Sequence, residues 1–164
     1  MKLEGSCHCG AVTFTVTSHT PYPYNHCYCS KCRKTGAGGY AINIMGDAET
    51  MEVTGEDNIS VYRSRNNHRG AYDEDGLGFS RRHFCKTCGS PLWIHNSQYP
   101  QWVYPVATAI DTPLPEAPAR THLMLGYKPS WVQVPPESET DKHFEFYPDE
   151  GIEDWHRRRG LYED

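Results

Sequence analysis

Single apolar and polar residues alternate over Ala11–Thr17, with Val12, Phe14 and Val16 set against Thr13, Thr15 and Thr17. A period of two is the signature of a strand with one buried face, so this run predicts a half-buried β-strand. Gly39–Ile44, Thr50–Thr54 and Ile59–Ser64 read as three more strands, the last two joined by the turn-like Gly55-Glu56-Asp57-Asn58. Pro91–Ile94 and Trp102–Val106 add two further β-rich runs. Residues Asn66 to Gly78 are polar, have no period, and read as a loop carrying His68, Arg69, Asp73, Glu74 and Asp75. Asp111–Ala119 holds three prolines and reads as an extended connection. One helix is expected over Gly151–Arg159, started by Pro148-Asp149-Glu150 and stopped by Gly160. The pattern as a whole predicts a mostly β, single domain over residues 1–164, with a short C-terminal helix.

Composition narrows the class. Of the 164 residues 37% are hydrophobic, and the mean hydropathy is −0.72. Eleven Tyr and four Trp give the chain enough to bury that disorder is excluded. No apolar run approaches the ~20 residues of a membrane helix. The start, Met1-Lys2-Leu3-Glu4-Gly5-Ser6-Cys7, has no signal-like apolar stretch, so a cytoplasmic protein that does not associate with membranes is expected. The net charge is −5, from 16 Lys+Arg against 21 Asp+Glu. That balance argues against nucleic-acid binding, which rests on neutralising phosphates. The short basic groups at Arg63/Arg65/Arg69, Arg81/Arg82 and Arg157/Arg158/Arg159 read as solvated surface.

The seven cysteines change the picture most. They fall as Cys7-x-Cys9, Cys27-x-Cys29-x2-Cys32 and Cys85-x2-Cys88, and an odd number cannot all pair in disulfides. Such clustering is what a metal requires, because zinc draws each sulfur to ~2.3 Å. Cys85-Lys86-Thr87-Cys88-Gly89 is a zinc knuckle, in which glycine permits the tight turn that brings both thiolates to one ion. A knuckle supplies two ligands of the four a structural site needs. Either Cys7 and Cys9 or two members of the middle cluster can complete it.

If Cys7 and Cys9 complete it, Cys27, Cys29 and Cys32 remain as three thiols with no evident fourth. Three protein ligands and an open position are the arrangement of a catalytic zinc. His26 is one residue that would instead close that site, and His8 another. Three thiolates leave zinc with a formal charge near −1, so the ion suits exchange of a fourth, soft thiolate better than acidifying water. Arg33 and Lys34 follow directly and would hold a substrate carboxylate or favour the thiolate form, unless they are simply solvated. Arg81-Arg82-His83 carries the same two readings.

These residues resemble the glutathione-dependent formaldehyde-activating enzyme family, whose domain is shared with centromere protein V. The matching stretches are Gly5-x-Cys7-x-Cys9-Gly10-x3-Phe14, His26-Cys27-x-Cys29-Ser30-x-Cys32-Arg33-Lys34 and Phe84-Cys85-x2-Cys88-Gly89-Ser90-Pro91-Leu92. Together they span about residues 3–135 and leave 136–164 as a C-terminal extension. The resemblance implies a β-tent fold of small antiparallel sheets. It assigns Cys7, Cys9, Cys85 and Cys88 to a structural zinc and Cys27, Cys29 and Cys32 to a second, open zinc, two ions per chain. It also implies a carbon–sulfur lyase-like activity that nominally joins glutathione and formaldehyde into S-hydroxymethylglutathione.

The general acid or base is not fixed by the motifs; His26, Tyr28, His68 and His95 are the candidates. The expected partner is a small-molecule thiol or carbonyl compound, and the oligomeric state is left open. The competing reading is a non-catalytic interaction module in which both zincs are structural. A cavity beside the second site favours an enzyme, and a fourth ligand from the protein favours the module.

Overall fold

The computed structural model describes residues 1–65 and 72–164. Their strands are β1 (Lys2–Ser6), β2 (Thr13–Thr17), β3 (Asn25–Cys27), β4 (Ala41–Ile42), β5 (Gly46–Asp47) and β6 (Glu52–Thr54). They continue with β7 (Ile59–Arg63), β8 (Ser80–Cys85), β9 (Pro91–Asn96), β10 (Trp102–Pro105), β11 (Arg120–Leu123) and β12 (Asp141–His143). Two short helices complete the set, α1 (Ser30–Thr35) between β3 and β4, and α2 (Ile152–Arg158) near the end.

The strands form three small sheets. The first has the order β1-β2-β6 and the second β5-β10-β9-β8-β7, and every ladder in both is antiparallel. The alternation in β2 does what its period predicts: Val12, Phe14 and Val16 are buried while Thr13 faces solvent. These side chains meet Leu3, Leu92, Trp93 and Val103 in the main core between the two sheets, where Phe14 sets its edge against Trp93 at 5.3 Å. Cys7 and Cys85 lie in this same core. β6 and β7 are consecutive but belong to different sheets, so the Gly55–Asn58 turn passes the chain from one sheet to the next.

The third sheet, β12-β11-β3-β4, is mixed. β11 runs parallel to both neighbours, with His122 opposite His26 on one side and His143 on the other. Its strands come from distant parts of the sequence and are only two to four residues long, which is why no local period announced β3, β11 or β12. The Gly39–Ile44 run keeps regular pairing only at Ala41 and Ile42.

The C-terminal segment is built into the fold. β12 extends the third sheet, and Trp155 of α2 stacks on Tyr24 with ring centroids 3.7 Å apart. Gly151 caps the helix start with no side-chain bond, so the Pro148–Glu150 run leads into the helix without capping it. Glu150 instead takes both guanidinium contacts of Arg158, at 2.5 and 2.8 Å. No helix among the described residues is long and apolar enough to cross a membrane.

Candidate metal centre and cavity

Two loops of the same design make the first cysteine group. After β1, the N–H of Gly10 returns to the Cys7 carbonyl at 3.0 Å; after β8, the N–H of Gly89 returns to the Cys85 carbonyl at 2.8 Å. Gly10 and Gly89 have φ of +76° and +75°, a left-handed turn that side chains resist, so each Cys-x-Cys-Gly or Cys-x2-Cys-Gly step needs its glycine. The turns bring the sulfurs of Cys7, Cys9, Cys85 and Cys88 within 4.8 Å of one another. Cys7 and Cys9 stand 3.6 Å apart and Cys9 and Cys85 3.8 Å. Four sulfurs at ~2.3 Å on a tetrahedron lie about 3.8 Å apart, so the donor set fits an ion of that kind.

Hydrogen bonds prepare this group for charge. The Val12 N–H reaches the Cys7 sulfur at 3.2 Å. The Ser90 hydroxyl contacts the Cys88 sulfur at 3.2 Å and accepts the His8 N–H at 3.1 Å, joining the two loops. Ser90 holds the Cys88 thiol down to about 5. Burial raises the Cys7 thiol, but the Val12 N–H and the neighbouring thiols outweigh it and bring it below its usual range. His8 therefore ties loop to loop through its backbone.

The second group sits where β3 hands over to α1. Cys27 ends the strand, Cys29 is the N-cap of α1, and Cys32 lies on its inner face with its N–H 3.5 Å from the Cys29 sulfur. All three sulfurs lie within 4.8 Å of one another, and no other described His, Cys, Asp or Glu joins them. The Cys27 and Cys32 thiols, hydrogen-bonding to Cys29, lower its pKa below the usual thiol range and so favour its thiolate form. The Cys27 thiol is pushed up by the same bond. Arg82 brings Nη2 to 3.6 Å from the Cys32 sulfur and offsets the charge.

The trio opens on a cavity of about 460 Å³, within the range of small-molecule sites. Asn25, Lys31, Asn43 and Arg82 line it beside the cysteines, and residues 147–152 of the C-terminal segment line it too. A smaller cavity of about 380 Å³ shares Arg82 and Ile94 as a wall; it is mostly apolar and includes Lys34.

The other candidates fall in different places. His26 is the middle residue of β3, so it points to the opposite face from Cys27; it stacks on Tyr40 at 4.8 Å. Burial lowers its pKa to about 4. Tyr28 is buried with its hydroxyl 3.0 Å from His122 Nδ1, and His122 Nε2 lies 3.1 Å from Asp141 Oδ1. Burial pushes the Tyr28 phenol up to about 12. His95 lies between Ile94 and Asn96, both of which line the cavity, and is on the other side of β9. His68 lies outside the described residues. Arg33 is half-buried and Lys34 exposed, and neither lines the cysteine cavity.

Of the described cations that line it, Lys31 was not among the candidates, while Arg82 was, within the Arg81-Arg82-His83 run. Lys31 sits inside the Cys29-x2-Cys32 step, and Arg82 is carried in from β8 by the sheet. Asn25 stands two residues before Cys27 on β3 and so shares that cysteine's face, a relation that becomes readable only once β3 is known.

A family model for glutathione-dependent formaldehyde-activating enzymes matches residues 2–125 of this chain. A Halomonas elongata protein, described as a candidate glutathione-dependent formaldehyde-activating enzyme, is 52% identical over 165 residues, covering 99% of both chains. A crystal structure of a Rhodobacter sphaeroides protein matches 68% of this chain and 91% of its own, with a TM-score of 0.51 and 24% identity. That last likeness concerns the fold alone.

Proposed function

The chain belongs to the glutathione-dependent formaldehyde-activating enzyme family, and on that premise we propose that it is a zinc-dependent, carbon–sulfur lyase-like enzyme joining glutathione to formaldehyde. The observation that carries this reading is the convergence of Cys27, Cys29 and Cys32 on the wall of a cavity of ligand size. A purely structural site would be closed by a fourth protein ligand, and none of the described residues supplies one.

In this proposal Cys7, Cys9, Cys85 and Cys88 hold a structural zinc, and Cys27, Cys29 and Cys32 hold a second. A zinc ion in the trio, when bound, supplies a soft acceptor position for one more thiolate. The chain's own residues do the rest. Arg82 and Lys31, in place of Arg33 and Lys34, offset the negative charge of the sulfurs and attract an anionic part of the substrate. In the reaction the glutathione sulfur forms a bond to the formaldehyde carbon, the thiol loses its proton, and the carbonyl oxygen gains one. The buried Tyr28–His122–Asp141 chain holds the loop between Cys27 and Cys29 in place. Reduced thiols of this kind suit the cytoplasm. The C-terminal segment belongs to the same single domain, 1–164.

The test is kinetic. Two zinc ions per chain should be found by elemental analysis, and the protein should speed formation of S-hydroxymethylglutathione, followed by NMR exchange, above the spontaneous rate. Cys29→Ser should return the rate to the spontaneous value. Two zincs with no acceleration would contradict the proposal.

A further inference from the structure

The family model ends at residue 125, yet residues 147–152 line the cavity that the cysteine trio opens on. The shared motif therefore builds the sulfur end of the cavity, and the C-terminal segment builds part of its wall. Chemistry common to the family belongs to the first, and the choice of substrate can belong to the second.

The charges in the cavity are arranged unequally. Lys31 and Arg82 lie on the α1 and β8 side, with Arg82 against the Cys32 sulfur. The C-terminal wall carries Asp149 and Glu150. Glu150 is spent: both its oxygens are taken by Arg158, and that contact holds its carboxyl below the usual range. Asp149 is exposed and has no hydrogen-bond or ion-pair partner among the described residues. Two more acceptors wait on the strand side. Asn25 and Asn43 both line the cavity, and the Oδ1 of each is buried with no hydrogen-bond partner among the described residues. A buried acceptor without a donor is unfavourable, so such a pair calls for an N–H from elsewhere.

Resting on the thiol-binding reading above, we propose that Asp149 is a specificity-determining residue that selects thiols bearing an ammonium group. The substrate class it fits is a zwitterionic peptide thiol: sulfur at the cysteine trio, carboxylate toward Lys31 and Arg82, ammonium toward Asp149, and amide N–H groups toward Asn25 and Asn43. The α-amino group of a γ-glutamyl peptide meets this description. A neutral or purely anionic thiol leaves Asp149 unmatched.

The test compares glutathione with its des-amino analogue, glutaryl-cysteinyl-glycine, which keeps the thiol and both carboxylates and lacks only the ammonium. Calorimetry on the zinc-loaded full chain gives the ratio of the two dissociation constants. Wild type should bind glutathione about tenfold more tightly, the worth of one charge-assisted hydrogen bond at a partly exposed site. In Asp149→Asn, an exposed and near-isosteric change that the fold tolerates, the ratio should fall to about one. Raising the salt should shrink the wild-type ratio and leave the variant's alone. A ratio unchanged by the substitution, a wild-type ratio near one, or no binding of either peptide overturns the proposal. Failure of the parent reading shows elsewhere, in the wild-type protein alone, as binding that is indifferent to the sulfur.

Discussion

Cys88→Ser should unfold the chain, while Cys29→Ser should leave it folded. The reason lies in what each cysteine group ties together. Cys9 and Cys85 are 76 residues apart in sequence and their sulfurs are 3.8 Å apart, so an ion there staples β1 to β8 across most of the first two sheets. Closing a loop of that length removes about 4.5 kcal/mol of unfolded-state entropy. The binding energy of a structural zinc, about 10 kcal/mol or more in small domains, is spent on the same folded state. A domain's whole stability is about 5–15 kcal/mol, so losing this site takes most or all of it. Cys88 is exposed, so serine there removes a ligand and disturbs no core packing. The Cys27–Cys32 trio ties together only one strand end and the helix that follows it. Closing so short a segment is worth about 2 kcal/mol by the same relation. Thermal melts by circular dichroism, with zinc content measured on the same samples, separate the two. Cys29→Ser should keep about one zinc and a cooperative melt; Cys88→Ser should lose both. A Cys88→Ser protein that melts within a few degrees of wild type, or a Cys29→Ser protein that is equally unfolded, would refute this division of labour.

Trp155→Ala should cost about 3–5 kcal/mol in urea denaturation, because Trp155 is only 2% exposed and stacks on Tyr24. A loss below about 1 kcal/mol would mean that the C-terminal helix is an appendage. Tyr28→Phe removes the partner of buried His122 Nδ1 and should cost about 1–3 kcal/mol, seen as a lower denaturation midpoint at an unchanged slope. Acidification should destabilise the fold from about pH 6.5 downward. Burial, the leading cause in each case, lowers the pKa of His26, His83, His122 and His156, so these rings stay neutral in the folded state and take up protons on unfolding. Their contribution is complete above about pH 6.5, and each loses at most about 1.4 kcal/mol per pH unit below it, continuing for His26 to about 4. Stability that is flat or rising between about pH 7 and pH 5 would contradict this.

The sequence announced its strands where one face is buried along a whole run and stayed silent where tertiary pairing makes them. β2 shows its period because Val12, Phe14 and Val16 all enter one core. β3, β11 and β12 are short and pair in parallel across long stretches of chain, so nothing local marks them. The cysteine groups were legible because metal ligands must be close and the Cys-x2-Cys-Gly step has one economical turn. Which pairs met was left open by spacing alone, and the fold brings Cys7 and Cys9 to Cys85 and Cys88. The cavity's charged lining was the least legible part. Arg33, Lys34 and Arg82 all drew notice by adjacency to cysteine motifs, but α1 turns Arg33 and Lys34 off the cavity, while Arg82 and the unremarked Lys31 line it. Asp149 drew notice only as part of the expected helix start, and only the return of the chain past β12 brings it to the cavity.

On the proposed function, the Cys27–Cys29–Cys32 group is an open zinc site that takes an external thiolate. Calorimetry of the zinc-loaded protein with glutathione and with S-methylglutathione tests it most directly. Glutathione should bind with the release of a proton, so its heat should change with the ionisation enthalpy of the buffer. The S-methyl compound cannot ionise and should bind far more weakly, by about a hundredfold or more, since it offers only a thioether. Cys29→Ser should abolish the difference. Equal affinities for the two compounds, or a heat indifferent to buffer, would show that sulfur is not the anchor and would contradict the claim.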